Sequence, residues 1–287
     1  MTTSCEFRKI GNTFVAEATG FDLTRKLTPA QVAQIESSSA EYGVLVFHDQ
    51  PMDPVQQDVF IRQFGPERQP LFKEVAGGSK TLIDVGTVDD EGNPLGKDTL
   101  QGAYNLANRL WHTDGTFLKL PIRLTGLLAR ELPPIPPPTE YADMRSAWHA
   151  LSAERRAELE GLKVIHNVVR SREQVGFTAD KFAAETLKKL PPVSHPLVRV
   201  HPFNGRKSLY LASHASHIEG WPVEKGRALI AELIAFATQP QFTYSHDWRK
   251  DDFVLWDDRW TMHRATPYDG PHPRKMRQCA VHETEPI

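Results

Sequence analysis

The chain has 287 residues, 40% of them hydrophobic and 24% charged, the balance of an ordinary folded protein and not of a disordered or fibrous one. Its 34 lysines and arginines nearly cancel 36 acidic residues, so no global field draws it to nucleic acid or an anionic membrane. The two cysteines, Cys5 and Cys279, exclude a disulfide framework, no apolar run approaches the roughly 18 residues of a membrane span, and MTTSCEFRKI lacks the apolar core of a signal peptide, so the expectation is a cytoplasmic protein.

In chain order, Thr28-Pro29 reads as an N-cap with proline at the first helical position, and Gly43 ends that helix. Val44–Phe47 follows as a short buried strand, and Pro54–Phe64 as a second helix stopped by Gly65-Pro66. Gly77 to Gly102 reads as loop, with a strong turn at Asp89–Pro94. Helices are predicted over Arg145–Leu162, Thr178–Leu190 and Val223–Ala237; in the last, Leu229, Ile230, Leu233 and Ile234 recur at helical spacing. Strands are predicted over Arg123–Arg130, Lys163–Val169, Leu197–His201, Ser208–Ala212, Phe253–Asp257 and Lys275–His282. There is no internal repeat, no low-complexity linker and no phosphate-binding glycine motif. One domain over residues 1–287 is the simplest organisation, mainly β with α: a jelly-roll core flanked by helices.

Among 12 histidines, His112-Thr113-Asp114 stands out. On a strand, residues two apart share a face, so an imidazole and a carboxylate stand side by side, two thirds of a 2-His-1-carboxylate metal triad. Alone the pattern is weak, and His217-Ile218-Glu219 is a rival. A second segment shifts the balance: the strand Phe253–Asp257 runs into a loop that delivers His263, a natural third ligand. Eleven residues on, after a Pro267–Pro273 turn, a hairpin would return Arg274 to the metal, where a guanidinium suits a carboxylate.

HTDGTF, WDDRWTMHRA and the following arginine resemble the taurine/chlorophenoxyacetate dioxygenase family of Fe(II)- and 2-oxoglutarate-dependent enzymes, and most of all its chlorophenoxyacetate branch. Val44–Gln50, Phe64-Gly65-Pro66, Thr139–Arg145, His201-Pro202 and Gly205–Tyr210 match in the same order, so the likeness covers nearly the whole chain. The resemblance implies a double-stranded β-helix, with His112, Asp114 and His263 as iron ligands. It further implies that Arg274 and Thr139 hold the distal carboxylate of 2-oxoglutarate. The reaction implied consumes O2, releases succinate and CO2, and oxidises a C–H bond of a small organic acid that is aryloxyalkanoate-, sulfonate- or amino-acid-like. Family members often assemble into dimers or larger homo-oligomers.

The same resemblance gives candidate substrate residues: Asn108, His201, His214, His217 and Gln278, the last where related enzymes carry an arginine for the substrate's anion. Alternation on the last strand puts Arg274, Met276 and Gln278 on one face and points Arg277 away, so the anionic clamp is weakened or moved. Gly115 reads as a residue that leaves room beside the ligand carboxylate, and Phe117 as a pocket wall. Three alternatives share these residues. The same iron site can desaturate or cyclise its substrate instead of hydroxylating it. A zinc hydrolase has no use for Arg274 and Thr139. A non-catalytic jelly-roll binding protein would not need all three ligands.

Overall fold

Thr28 opens the first helix, Pro29–Tyr42, through a capping box: its hydroxyl accepts from the Gln31 N–H and the Gln31 side chain accepts from the Thr28 N–H. Gly43, at φ 78°, ends the helix and turns the chain directly into the strand Val44–Phe47. Asp53 caps the next helix, Pro54–Ile61, in the same manner, and a 3-10 turn at Arg62–Phe64 carries it to Gly65. The computed structural model describes residues 4–68, 81–88, 95, 100–268 and 270–287; the turn expected at Asp89–Pro94 lies outside them.

Seven strands form the main sheet, in the order Glu6–Lys9, Val15–Thr19, Val44–Phe47, Phe253–Asp257, Ile122–Glu131, Lys275–His282 and Ile83–Gly86. Its neighbours are antiparallel except for the Val15–Thr19 and Val44–Phe47 pair. Phe253–Asp257, near the centre, is buried on both faces. Phe253 and Leu255 pack with Ile35, Phe60 and Phe64 beneath the helices, while Val254 and Trp256 face Tyr141 and Met276. Burial on both faces is why Phe253–Trp256 and Val44–Phe47 are unbroken apolar runs. Each such side chain contributes roughly 1.5–3 kcal/mol relative to exposure.

The inner layer is closed by a second sheet, Thr243–His246, Thr139–Asp143 and Thr261–Ala265, with the middle strand paired on both sides. The two sheets make the predicted jelly roll. A third sheet, of Ala215–Ile218, Lys163–His166 and Val193–Pro196, backs onto the helix Val223–Ala237 through Val164, Ile218, Leu229, Ile230 and Leu233.

Several sequence expectations need correction. Residues 77–102 are not all loop: Ile83–Gly86 is an edge strand of the main sheet, and a helix begins at Leu100 and runs to Ala107. The helix expected over Arg145–Leu162 is two, Met144–Ala150 and Ala153–Leu159, because Ser152 caps the second after an extended Leu151. The strand expected over Lys163–Val169 stops at His166, where Asn167 accepts from the Val169 N–H and starts the helix Val168–Glu173. Only a short turn of helix, Ala184–Lys189, forms within Thr178–Leu190 beside a 3-10 turn at Ala179–Lys181. The hairpin expected between His263 and Arg274 does not form either: Thr261–Ala265 belongs to the second sheet and Lys275–His282 to the first.

Candidate active site

His112 and His263 face each other across an isolated antiparallel bridge. The His112 N–H donates to the His263 carbonyl at 3.0 Å and the His263 N–H to the His112 carbonyl at 2.8 Å, which brings their ring centroids to 4.2 Å. Beyond that bridge the chain leaves extended form, so strand alternation is not what presents Asp114. A turn through Gly115, at φ +65°, delivers the carboxylate. Asp114 Oδ1 ends 3.7 Å from His112 Nε2, and Oδ2 ends 3.9 Å from His263 Nε2. The ligand atoms of all three residues lie within 4.8 Å of one another, the only such group of three among the described residues. Gly115 lines a cavity beside Asp114 and also serves the turn and its packing: a Cβ there would lie 2.6 Å from Ile122 Cγ1.

The protonation states match a metal-binding donor set. Burial pushes His263 down to about 3 and also lowers His112, so both imidazoles are neutral, with lone pairs free for a cation. The Nδ1–H of His112 donates to the Leu110 carbonyl at 2.7 Å, which leaves Nε2 facing Asp114. Burial alone would raise Asp114, but its neighbours, among them the Arg68 charge and the Thr125 hydroxyl, hold its carboxyl below the usual range. Behind it, burial and the charge of Asp114 push Asp258 well above a normal carboxylate. Asp258 Oδ1 accepts from the Asp114 N–H at 3.0 Å. The Thr125 hydroxyl lies 2.6 Å from Asp258 Oδ2 and 3.1 Å from Asp114 Oδ2. With Asp258 protonated, that hydroxyl accepts from one acid and donates to the other, so no donor is left over.

On the His263 side, one cavity is lined by Thr139, Arg274, Asn108 and Gln278 together with His112 and His263. Burial lowers Arg274 to about 10, which leaves it charged at neutral pH, and its Nε has no partner. Thr139 Oγ1 accepts from the Trp248 indole N–H at 2.9 Å, so its own proton is free to donate. Two donors aimed at one buried space suit an anion. Arg277 points away, as alternation predicts, donating to Gln57 Oε1 and the Met52 carbonyl.

On the Asp114 side, a second cavity is lined by Tyr104, Phe117, Ile122, Arg68, Arg172 and His214 among others, and it shares Asn108 and His112 with the first. Phe117 packs on His214 at 4.7 Å between centroids, and burial drives His214 well below its ordinary value into the neutral form. The histidines singled out in the sequence therefore separate: His214 lines the cavity, whereas His201 and His217 do not. His217 sits on the outer strand Ala215–Ile218 with Nδ1 beside Ser216 Oγ. His201 is a buried strut, its Nε2–H donating to Asp257 Oδ2 at 3.1 Å and its Nδ1 accepting from the Phe203 N–H. Removing the strut leaves Asp257 short of one donor. His201→Ala is therefore expected to cost about 1–3 kcal/mol of stability in urea unfolding and to leave the KM for an acid substrate within roughly twofold. A KM raised more than about tenfold at unchanged stability would return His201 to the substrate side.

Sequence reasoning missed Arg68, Tyr104 and Arg172. None of the three stands in a metal- or carboxylate-binding motif: Tyr104 and Arg172 reach the site through the packing of Leu100–Ala107 against Val168–Glu173, by way of Ala103, Val168 and Val169, and Arg68 through a backbone bond to Ala280 of the last strand. Gln278 does line a cavity but is already engaged: its Nε2 donates to Asp114 Oδ2 at 2.8 Å and its Oε1 accepts from Arg68.

Comparison with known proteins agrees with this geometry. Residues 6–280 match the family described as "Taurine catabolism dioxygenase TauD, TfdA family", a span that includes both histidine segments and Arg274. An alpha-ketoglutarate-dependent 2,4-dichlorophenoxyacetate dioxygenase of Burkholderia sp. (strain RASC) is 39% identical over 272 residues, covering 93% of this chain and 91% of that protein. A (S)-phenoxypropionate/alpha-ketoglutarate-dioxygenase of Sphingobium herbicidovorans is 34% identical over 280 residues, covering 96% and 94%. A crystal structure of AAD-2 in complex with Mn(II) and N-oxalylglycine superposes with a TM-score of 0.90 at 40% identity, covering 99% of this chain and 98% of that one. The chain therefore belongs to the TauD/TfdA family and is an Fe(II)- and 2-oxoglutarate-dependent dioxygenase.

Proposed function

We propose that His112, Asp114 and His263 hold the Fe(II), that Arg274 and Thr139 take the distal carboxylate of 2-oxoglutarate, and that the substrate is an aryloxyalkanoate-type acid. The observation that carries this reading is the pair of adjoining cavities that meet at His112, one with buried donors and the other largely apolar. With 2-oxoglutarate and O2, the iron supplies oxidation of a C–H bond, with release of succinate and CO2. The protein's part is placement. His112 and His263 present neutral Nε2 atoms, Asp114 a charge that Gln278 and Thr125 orient, and Arg274 an anchor that fixes the cosubstrate's direction. Phe117, Leu118, Ile83 and Ile122 offer the apolar walls that an aryl group needs and that exclude water.

We place this enzyme in the cytoplasm as one catalytic domain over residues 1–287. Both cysteines are unpaired, and among the described residues no helix is long and apolar enough to cross a membrane. In an assay of succinate formation, 2,4-dichlorophenoxyacetate is expected to raise the rate at least about tenfold over 2-oxoglutarate alone, and taurine to raise it little, since the apolar walls reward an aryl group and not an ammonium. Product mass distinguishes an added oxygen from loss of two hydrogens. A rate raised by taurine and not by the aryloxy acid would overturn the substrate class.

A further inference from the structure

Gln278 is neutral and lines the cavity on the His263 side, and both ends of its amide are occupied, by Asp114 and Arg68. The positive charge on the Asp114 side comes from elsewhere. Arg68 is fixed by its backbone, whose N–H donates to the Ala280 carbonyl at 2.9 Å, and only 6% of the residue is exposed. Its Nη1 donates to Gln278 Oε1 at 3.0 Å, while Nε and Nη2 are buried with no partner. Those two nitrogens form one complete edge of the guanidinium, the edge that grips a carboxylate with two parallel hydrogen bonds.

A buried guanidinium with a whole edge unsatisfied is costly in a folded protein and calls for a ligand. Arg172 adds a second buried cation to the same cavity. It lies over the Tyr104 ring at 5.0 Å and donates from Nη1 to Ser171 Oγ at 2.8 Å. Among the described residues no carboxylate forms an ion pair with either arginine. Among the described residues the cavity thus sets two fixed positive charges against one acid, Asp114, whose carboxylate is committed to the metal.

Resting on the iron-site reading above, we infer that Arg68, seconded by Arg172, is the anion clamp of this enzyme: the substrate's carboxylate docks on the Nε/Nη2 edge of Arg68. Gln278 is then a positioning residue that ties the clamp to the iron ligand. The acid group and the C–H bond to be oxidised are held by one continuous chain of hydrogen bonds, Arg68–Gln278–Asp114. The class selected is a molecule with one acid group and an apolar remainder.

The test is a calorimetric titration of protein loaded anaerobically with Fe(II) and 2-oxoglutarate, using 2,4-dichlorophenoxyacetate and its carboxamide as probes. The visible absorption of the iron–2-oxoglutarate complex is recorded on the same samples. Wild type is expected to prefer the acid at least about 30-fold, Arg68→Met to reduce that preference to about threefold or less, and Arg172→Leu to reduce it roughly tenfold. Arg68→Lys keeps the charge but not the two-nitrogen edge, and an intermediate preference is expected. All three variants are expected to keep the visible band. An acid preference unchanged in both neutral variants overturns the clamp, as does a wild type that does not prefer the acid. A wild type without the band counts against the iron-site reading, while the acid-to-amide ratio still decides the clamp.

Discussion

His263→Ala is expected to abolish the visible band that forms when Fe(II) and 2-oxoglutarate are added to the metal-free protein without oxygen, and to lower succinate formation at least about 1,000-fold. Loss of a residue that only orients a metal ligand already costs about 10–100-fold, and loss of the ligand itself costs more. The site has no spare donor: among the described residues no fourth carboxylate or imidazole joins the three. His214 is near, with its ring centroid 6.4 Å from that of His112, but it lines the Asp114-side cavity and is not part of the group of three. The fold is expected to survive, because the backbone bonds of that bridge do not depend on the side chain. Retention of the band and of succinate formation in the variant would remove His263 from the ligand set. Tight zinc binding by the wild type with no band from Fe(II) would favour a hydrolytic site instead.

Arg274→Ala is expected to raise the KM for 2-oxoglutarate about 100-fold or more while leaving measurable turnover at saturating cosubstrate. The guanidinium is buried and charged, its Nε unpartnered, with the free proton of Thr139 in the same cavity. Taking one member from a buried charge pair costs about 3–5 kcal/mol, mostly through the charge left behind. Here the charge left behind belongs to the cosubstrate, so the loss falls on KM. Thr139→Val should move KM in the same direction by about tenfold, the worth of a hydrogen bond to a charged group. A KM within about threefold of wild type in Arg274→Ala would place the anchor elsewhere.

Legibility in the sequence follows burial. Val44–Phe47, Phe253–Asp257 and Lys275–His282 are readable because they lie within the sheet core, and the capped helices because Thr28-Pro29 and Gly43 punctuate the chain. The strands Ile83–Gly86, Thr139–Asp143 and Thr261–Ala265 are short, carry polar or charged residues and gain their form from partners distant in sequence, so periodicity does not reveal them. The same divide runs through the site. His112, Asp114, His263 and Arg274 stand in motifs that family resemblance can read. Arg68 and Arg172 are lone arginines that only tertiary packing brings beside Asp114, and His201 looks like a site histidine until Asp257 is seen to engage it. At Gly115 the positive φ and the closeness of Ile122 favour glycine in addition to the room it leaves in the cavity it lines, a demand of backbone and packing that sequence alone does not show.

The backbone bridge between His112 and His263 also bears on which metal the enzyme carries. Because His112 and His263 are locked together by main-chain hydrogen bonds, and Asp114 by Thr125 and Gln278, the three donors that could hold an ion are arranged before any ion arrives. Such a preformed site demands little folding work of its metal. Affinity follows the intrinsic order of the divalent ions, in which cobalt, nickel, copper and zinc all outrank iron. Zinc or cobalt added to the metal-free protein is therefore expected to compete with Fe(II) for these three donors.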